Sequence, residues 1–109
     1  MTNLFAISPE ARPDAEEYCE TLASSPFLRI ERIVSHGHVT PDGQWYDQDR
    51  DEWVTVLEGS AIIAYPDGAK IRLEKGDQLF LPKHLRHRVA HTSSPCIWLA
   101  LFADDMILP

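Results

Sequence analysis

From Phe27 onward the chain arrives in short runs of β-branched, aliphatic and aromatic residues separated by turn formers, the texture of an all-β sandwich or barrel. Phe27 to His38 reads as a strand, and Thr40-Pro41-Asp42-Gly43 as the turn after it. Gln44 to Gln48 reads as a further short strand. Glu52 to Glu58 alternates, with Glu52, Val54 and Val56 on one face and Trp53, Thr55 and Leu57 on the other, until Gly59 breaks the run. Ser60 to Tyr65 and Lys70 to Glu74 flank Pro66-Asp67-Gly68-Ala69 and predict a hairpin. Strands over Gln78 to Leu81, Arg88 to Thr92 and Cys96 to Phe102 complete the series, with turns at Lys75-Gly76-Asp77 and Ser93-Ser94-Pro95.

The segment before this series has a different texture. Pro13 to Ala23 collects helix formers and early acidic residues behind a proline and ends on Ser24-Ser25-Pro26, which predicts one short peripheral helix that contributes no pocket residue. Residues 1–26 are then an N-terminal extension and residues 27–109 the barrel of a single domain. About eight strands in so short a chain favour closure into a barrel, because an open sheet would leave long edges unpaired.

Composition narrows the function classes. The chain of 109 residues has 44% apolar and 25% charged residues, the balance of an ordinary folded domain. Its 17 acidic against 10 basic residues, a formal charge of −7, repel phosphate backbones and anionic lipid, so neither nucleic acid nor membrane is an expected partner. Met1 to Pro9 shows no basic, apolar leader, and the expected location is cytoplasmic. Cys19 and Cys96 have no metal-type spacing and read as reduced thiols.

Two stretches resemble the paired motifs of the cupin superfamily. Gly76, Pro82 and His87 stand at the spacings of the second motif, while His84 replaces its second glycine and His91 its asparagine. Glu52 and Gly59 match the end of the first motif, whose two histidine positions are held here by Tyr46 and Gln48, or by Trp45 and Asp47 with the longer spacer. The resemblance covers about Phe27 to Phe102 and implies an all-β small cupin barrel, a double-stranded β-helix or jelly roll, behind the N-terminal helix. It also implies a pocket for a small-molecule ligand and pairing into a homodimer. The alternation of the Glu52 strand adds to that last expectation by leaving Trp53, Thr55 and Leu57 outside.

In metal-binding cupins the motif histidines and glutamate hold a divalent iron, manganese, nickel or zinc ion. Glu52 and His87 are the retained pair here, and Gln48 and Tyr46, or Asp47 and Asp49, would have to complete the shell. The other reading is a metal-free polar pocket in which Glu52 and His87 hydrogen-bond each other, with the His87 titration midpoint raised by the carboxylate. His36 and His38 share one strand face about 6.6 Å apart but lie too far upstream to be the motif pair, which makes them a surface or rim pair. His91 reads as a hydrogen-bonding barrel residue and His84 as a solvated turn residue, while Arg86 and Arg88 are expected to pair with the acidic run Asp47 to Glu52. Three functions stay open: a metal-dependent enzyme on a small organic substrate, a non-catalytic binding module, and an assembly unit.

Overall fold

The structure is a computed structural model and describes residues 3–109. Eight strands follow one another: β1 (Tyr18–Ser24), β2 (Leu28–Ser35), β3 (Asp51–Glu58), β4 (Ser60–Ala64), β5 (Lys70–Glu74), β6 (Gln78–Leu81), β7 (Arg88–Thr92) and β8 (Cys96–Ala103). They form a five-stranded sheet in the order β1-β2-β8-β3-β6 and a three-stranded sheet in the order β5-β4-β7. All pairings are antiparallel.

The core lies between the two sheets. Val54 and Val56 of β3, Ala61 and Ile63 of β4, Leu73 of β5, Leu81 of β6 and alternate residues of β8 (Cys96, Trp98, Ala100, Phe102) pack there together. The period-two alternation of a strand accounts for this set, since one face of each strand meets the opposite sheet. The hairpin and the β6 and β7 strands fall where the sequence places them.

The expected N-terminal helix is not there: no helix occurs among the described residues, and Tyr18–Ser24 is an edge strand. It pairs with β2 from Tyr18↔Val34 to Ser24↔Arg29, with a bulge between Thr21 and Ala23. Helix propensities differ by only tenths of a kcal/mol per residue, whereas an unpaired β2 edge would strand a row of backbone donors and acceptors. Side chains reinforce the ladder, because the buried Arg32 of β2 donates through Nε to the Glu20 carboxylate of β1. The expected strand over Gln44 to Gln48 shrinks to one bridge, Tyr46↔His87, in which the two residues exchange both backbone hydrogen bonds.

Two motif positions are explained by backbone shape. Gly59 has φ +84 at the β3–β4 corner, and a Cβ there would sit 2.2 Å from Ser93 Oγ and 2.5 Å from the Pro95 carbonyl oxygen. His84 stands where the cupin motif has glycine and keeps the left-handed conformation that glycine favours, with φ 64. Its N–H donates to the Gln48 carbonyl at 2.7 Å, and its ring Nδ1 lies 2.9 Å from Asp47 Oδ1.

Candidate functional site

A cavity of about 200 Å³ opens between the sheets. Its floor is apolar, with Val54, Ile63, Leu81, Val89, Trp98 and Phe102 contributed by strands whose inward faces also build the core. Glu52 reaches it from β3, two residues before Val54 on the same face, and His87 from the residue that precedes β7. Tyr46 and Gln48 come from the segment that crosses the mouth. The four residues singled out from the sequence therefore line one cavity.

Four further polar residues were not legible as site residues. Arg29 and Glu31 share the inward face of β2 with Ile33, a placement that strand alternation alone signals. Glu17 and Cys19 enter from β1 and the residue before it, contrary to the expectation that this segment supplies no pocket residue. Reading the segment as a helix hid them. Glu17 is held in place by a relay in which Trp98 Nε1 donates to Ser35 Oγ at 3.1 Å and Ser35 Oγ donates to Glu17 Oε2 at 2.6 Å.

Burial sets the protonation of the central pair. Glu52 is 7% exposed, and its removal from water pushes its pKa up to about 7; the Glu31 charge adds to the rise, while the Gln48 amide and Arg29 oppose it. His87 is 4% exposed, and burial pushes its pKa down, against a smaller upward effect of its bond to Leu85. This corrects the expected carboxylate-linked rise. His87 Nδ1–H donates to the Leu85 carbonyl at 2.9 Å, so the neutral ring turns an unprotonated Nε2 toward other partners. Among the described residues no hydrogen bond joins Glu52 to His87. Tyr46 stacks on the imidazole with ring centroids 5.5 Å apart and planes 24° from parallel.

The charge inside is acidic. Three carboxylates (Glu17, Glu31, Glu52) face one guanidinium, Arg29. Arg29 Nε lies 2.7 Å from Glu31 Oε2, close enough to pair charges although its N–H does not point at that oxygen. The Arg29 guanidinium carbon also sits 4.4 Å from the centre of the Phe102 ring.

Of the four residues that would hold a metal ion, Glu52 and His87 offer a carboxylate and an imidazole nitrogen, and Gln48 and Tyr46 offer oxygen donors only. Among the described residues no group of three or more His, Cys, Asp or Glu side chains converges closely enough to hold one. With its pKa raised to about 7, Glu52 must give up its proton to serve as a metal ligand, so any ion held there would bind more weakly as pH falls. His36 and His38 do not supply the missing nitrogens. His36 Nδ1 lies 2.9 Å from Ser94 Oγ, while His38 accepts the His36 backbone N–H on Nδ1 and donates from Nε2 to the Ala15 carbonyl. His38 instead lines a neighbouring cavity of about 230 Å³ with Glu16, Thr40 and Pro41, sharing Glu17, Tyr46 and Val89 with the first. His91 is exposed. Arg88 pairs with Asp42 and the Thr40 carbonyl rather than with the acidic run at Asp47 to Glu52, and Arg86 lies over the Trp45 ring.

Fold and pocket together define a small β-barrel domain with a cavity between its sheets. Residues 32–102 match the Cupin domain family, and the chain belongs to it. The structure is similar to that of a candidate mannose-6-phosphate isomerase from Ralstonia eutropha JMP134, with TM-score 0.86 and 44% identity over 95% of this chain and 97% of that one. It also resembles a cupin superfamily protein from Desulfitobacterium hafniense DCB-2, with TM-score 0.74 and 25% identity over 88% and 84% of the two chains. An RmlC-like cupin from Desulfovibrio desulfuricans shares the fold, with TM-score 0.73 and 20% identity over 94% and 93%. A curated relative, an uncharacterized protein of Aquifex aeolicus (strain VF5), is 35% identical over 60 residues, 55% of this chain and 49% of that protein. The match thus spans about half the length of that relative. Among the described residues no helix is long and apolar enough to cross a membrane.

Proposed function

We propose that this cupin domain binds a small polar organic molecule in the cavity between its sheets without needing a metal ion. The observation that carries the reading is His87: a buried ring whose Nδ1–H is committed to Leu85, leaving Nε2 as an acceptor on a cavity that Glu52, Gln48 and Tyr46 also line. Apolar walls with a few placed polar groups suit a small-molecule site, and at about 200 Å³ this one is small even beside the usual ~300–1,000 Å³. The similarity to a candidate mannose-6-phosphate isomerase does not extend easily to a phosphorylated sugar, because a phosphate of charge about −2 would meet three carboxylates and one guanidinium already beside Glu31.

The test is a thermal-shift screen of chelator-treated protein against small polyols, amines and carboxylic acids, with and without added manganese, nickel or zinc. A stabilising compound should act without metal and lose its effect in His87→Phe. Stabilisation of the wild type, but not of His87→Ala, by a metal ion alone would overturn the reading in favour of a metal-dependent site.

A further inference from the structure

We infer that the ligand of this cavity is a small organic amine, bound as its ammonium form. The inference rests on the small-molecule reading above and concerns the chemical class that the cavity accepts.

Among the charged groups of the lining, acceptors prevail, while Gln48 and Tyr46 supply one amide and one hydroxyl that can donate. His87 is 4% exposed and its Nδ1–H is used by Leu85, and among the described residues no hydrogen bond reaches its Nε2, so the ring offers the cavity an acceptor for an N–H or O–H. The carboxylates of Glu17 and Glu31 add acceptors. Arg29, the single lysine or arginine in the lining, is paired in charge with Glu31 and lies over the Phe102 face, so one guanidinium stands against the carboxylates of Glu17, Glu31 and Glu52.

The approach has the same sign. The adjoining cavity is lined by Glu16 and Glu17 beside His38, contains no lysine or arginine, and shares Glu17 and Tyr46 with the first. A cation on this side of the molecule therefore meets two carboxylates and no lysine or arginine, on a chain whose formal charge is −7. Tyr46 and Trp98 add aromatic surface, which attracts an ammonium ion and is indifferent to an alcohol. An anion would meet the reverse of each interaction.

Three probes of matched shape decide the matter: cyclohexylamine, cyclohexanol and cyclohexanecarboxylate, titrated into the full chain by isothermal titration calorimetry. The amine should bind about tenfold or more tightly than the alcohol, as a charge-assisted hydrogen bond implies, and the carboxylate more weakly than both. Glu17→Gln should bring the amine-to-alcohol ratio toward one, while Glu58→Gln, outside the cavity, should leave it unchanged. Should Glu17→Gln fail to fold, ionic strength replaces it: added salt should weaken the amine and spare the alcohol. Equal binding of amine and alcohol would overturn the amine assignment and leave the small-molecule reading standing, as would preference for the carboxylate. Binding of none of the three at tens of millimolar would overturn both.

Discussion

Tyr46 and His87 are joined twice, by backbone and by ring. Tyr46 N–H donates to the His87 carbonyl at 2.8 Å, His87 N–H donates to the Tyr46 carbonyl at 3.2 Å, and the two rings stack above this bridge. The bridge ties the segment across the cavity mouth to the residue that enters β7, so the imidazole is covered by an element with almost no other sheet pairing. Tyr46→Ala should uncover the ring and return its titration midpoint upward toward the ordinary histidine range, because burial is what depresses it. Tyr46→Phe should not. Nuclear magnetic resonance titration of His87 reads this directly, and the lost stacking should cost about 0.5–1.5 kcal/mol. An unchanged midpoint in Tyr46→Ala would show that the protein interior, not the tyrosine, dries the imidazole.

Glu52 makes stability depend on pH. Its folded pKa of about 7 lies above its ordinary 4.5, so between these values the folded protein holds a proton that the unfolded chain has released. Stability is therefore greatest on the acid side of the window and falls as pH rises through it, by an upper limit of about 3 kcal/mol. His87 works in the opposite direction: its depressed pKa disfavours the protonated folded form, so its contribution improves as pH rises toward the ordinary histidine value. Glu52→Gln should remove the loss, being clearly more stable than wild type at about pH 8 and near it at about pH 5 in urea melts. Parallel stability curves for the two proteins would mean that the Glu52 carboxylate is better solvated than its burial implies.

How much of this was legible in sequence depends on the range of the interaction that decides each element. The hairpin around Pro66 to Ala69 and the strands Gln78–Leu81 and Arg88–Thr92 follow from turn residues and alternation a few positions away. The placement of Glu52 on the inward face of β3 follows from the same alternation. β1 depends instead on an edge supplied by β2 and on Glu20 meeting Arg32, partners that local propensity does not register. Arg29 and Glu31 lie in no motif, and only the assembled barrel brings them beside Glu52. The fall in the His87 midpoint was unreadable because it depends on burial and on a carbonyl of its own turn rather than on the distant carboxylate.

Arg32 anchors the N-terminal segment. It is 4% exposed on the face of β2 opposite Arg29 and Glu31, and its Nη1 donates to the carbonyls of Asn3, Leu4 and Ala6 at 3.1, 3.0 and 2.8 Å while Nε and Nη2 meet Glu20. Removing the guanidinium leaves three carbonyls and a partly buried carboxylate without their partner. Arg32→Met should cost about 2–3 kcal/mol, somewhat below the range for a fully buried pair because water can still reach Glu20. Residues 3–11 should become the first site of proteolytic cleavage. Arg32→Lys should rescue little, since an ammonium cannot span both groups of acceptors. A loss under about 0.5 kcal/mol, with unchanged cleavage, would place the anchor elsewhere.

Gly59 and Gly43 separate backbone conformation from crowding. Both have positive φ, +84 and +79, so alanine at either should cost about 1 kcal/mol for entering the left-handed region. At Gly43 nothing lies within 4 Å of the added methyl, and the cost should stop there. At Gly59 the methyl meets Ser93 Oγ and the Pro95 carbonyl oxygen at 2.2 and 2.5 Å. Ser93 Oγ cannot swing away freely, because it accepts the Ser60 N–H at 2.9 Å and donates to the Pro95 carbonyl at 2.8 Å. The Pro95 oxygen belongs to the backbone beside the buried Cys96 and can retreat only by shifting the start of β8. Gly59→Ala should therefore cost about 3 kcal/mol or more, and combining it with Ser93→Ala should recover little, since the carbonyl clash stays and the Ser60 N–H loses its acceptor. Urea denaturation of the three variants gives the order directly: Gly43→Ala most stable, with both Gly59→Ala proteins well below it. Equal stability of Gly43→Ala and Gly59→Ala would show that the β3–β4 corner opens to admit a side chain, and the glycine of the first motif would then be required for its φ alone.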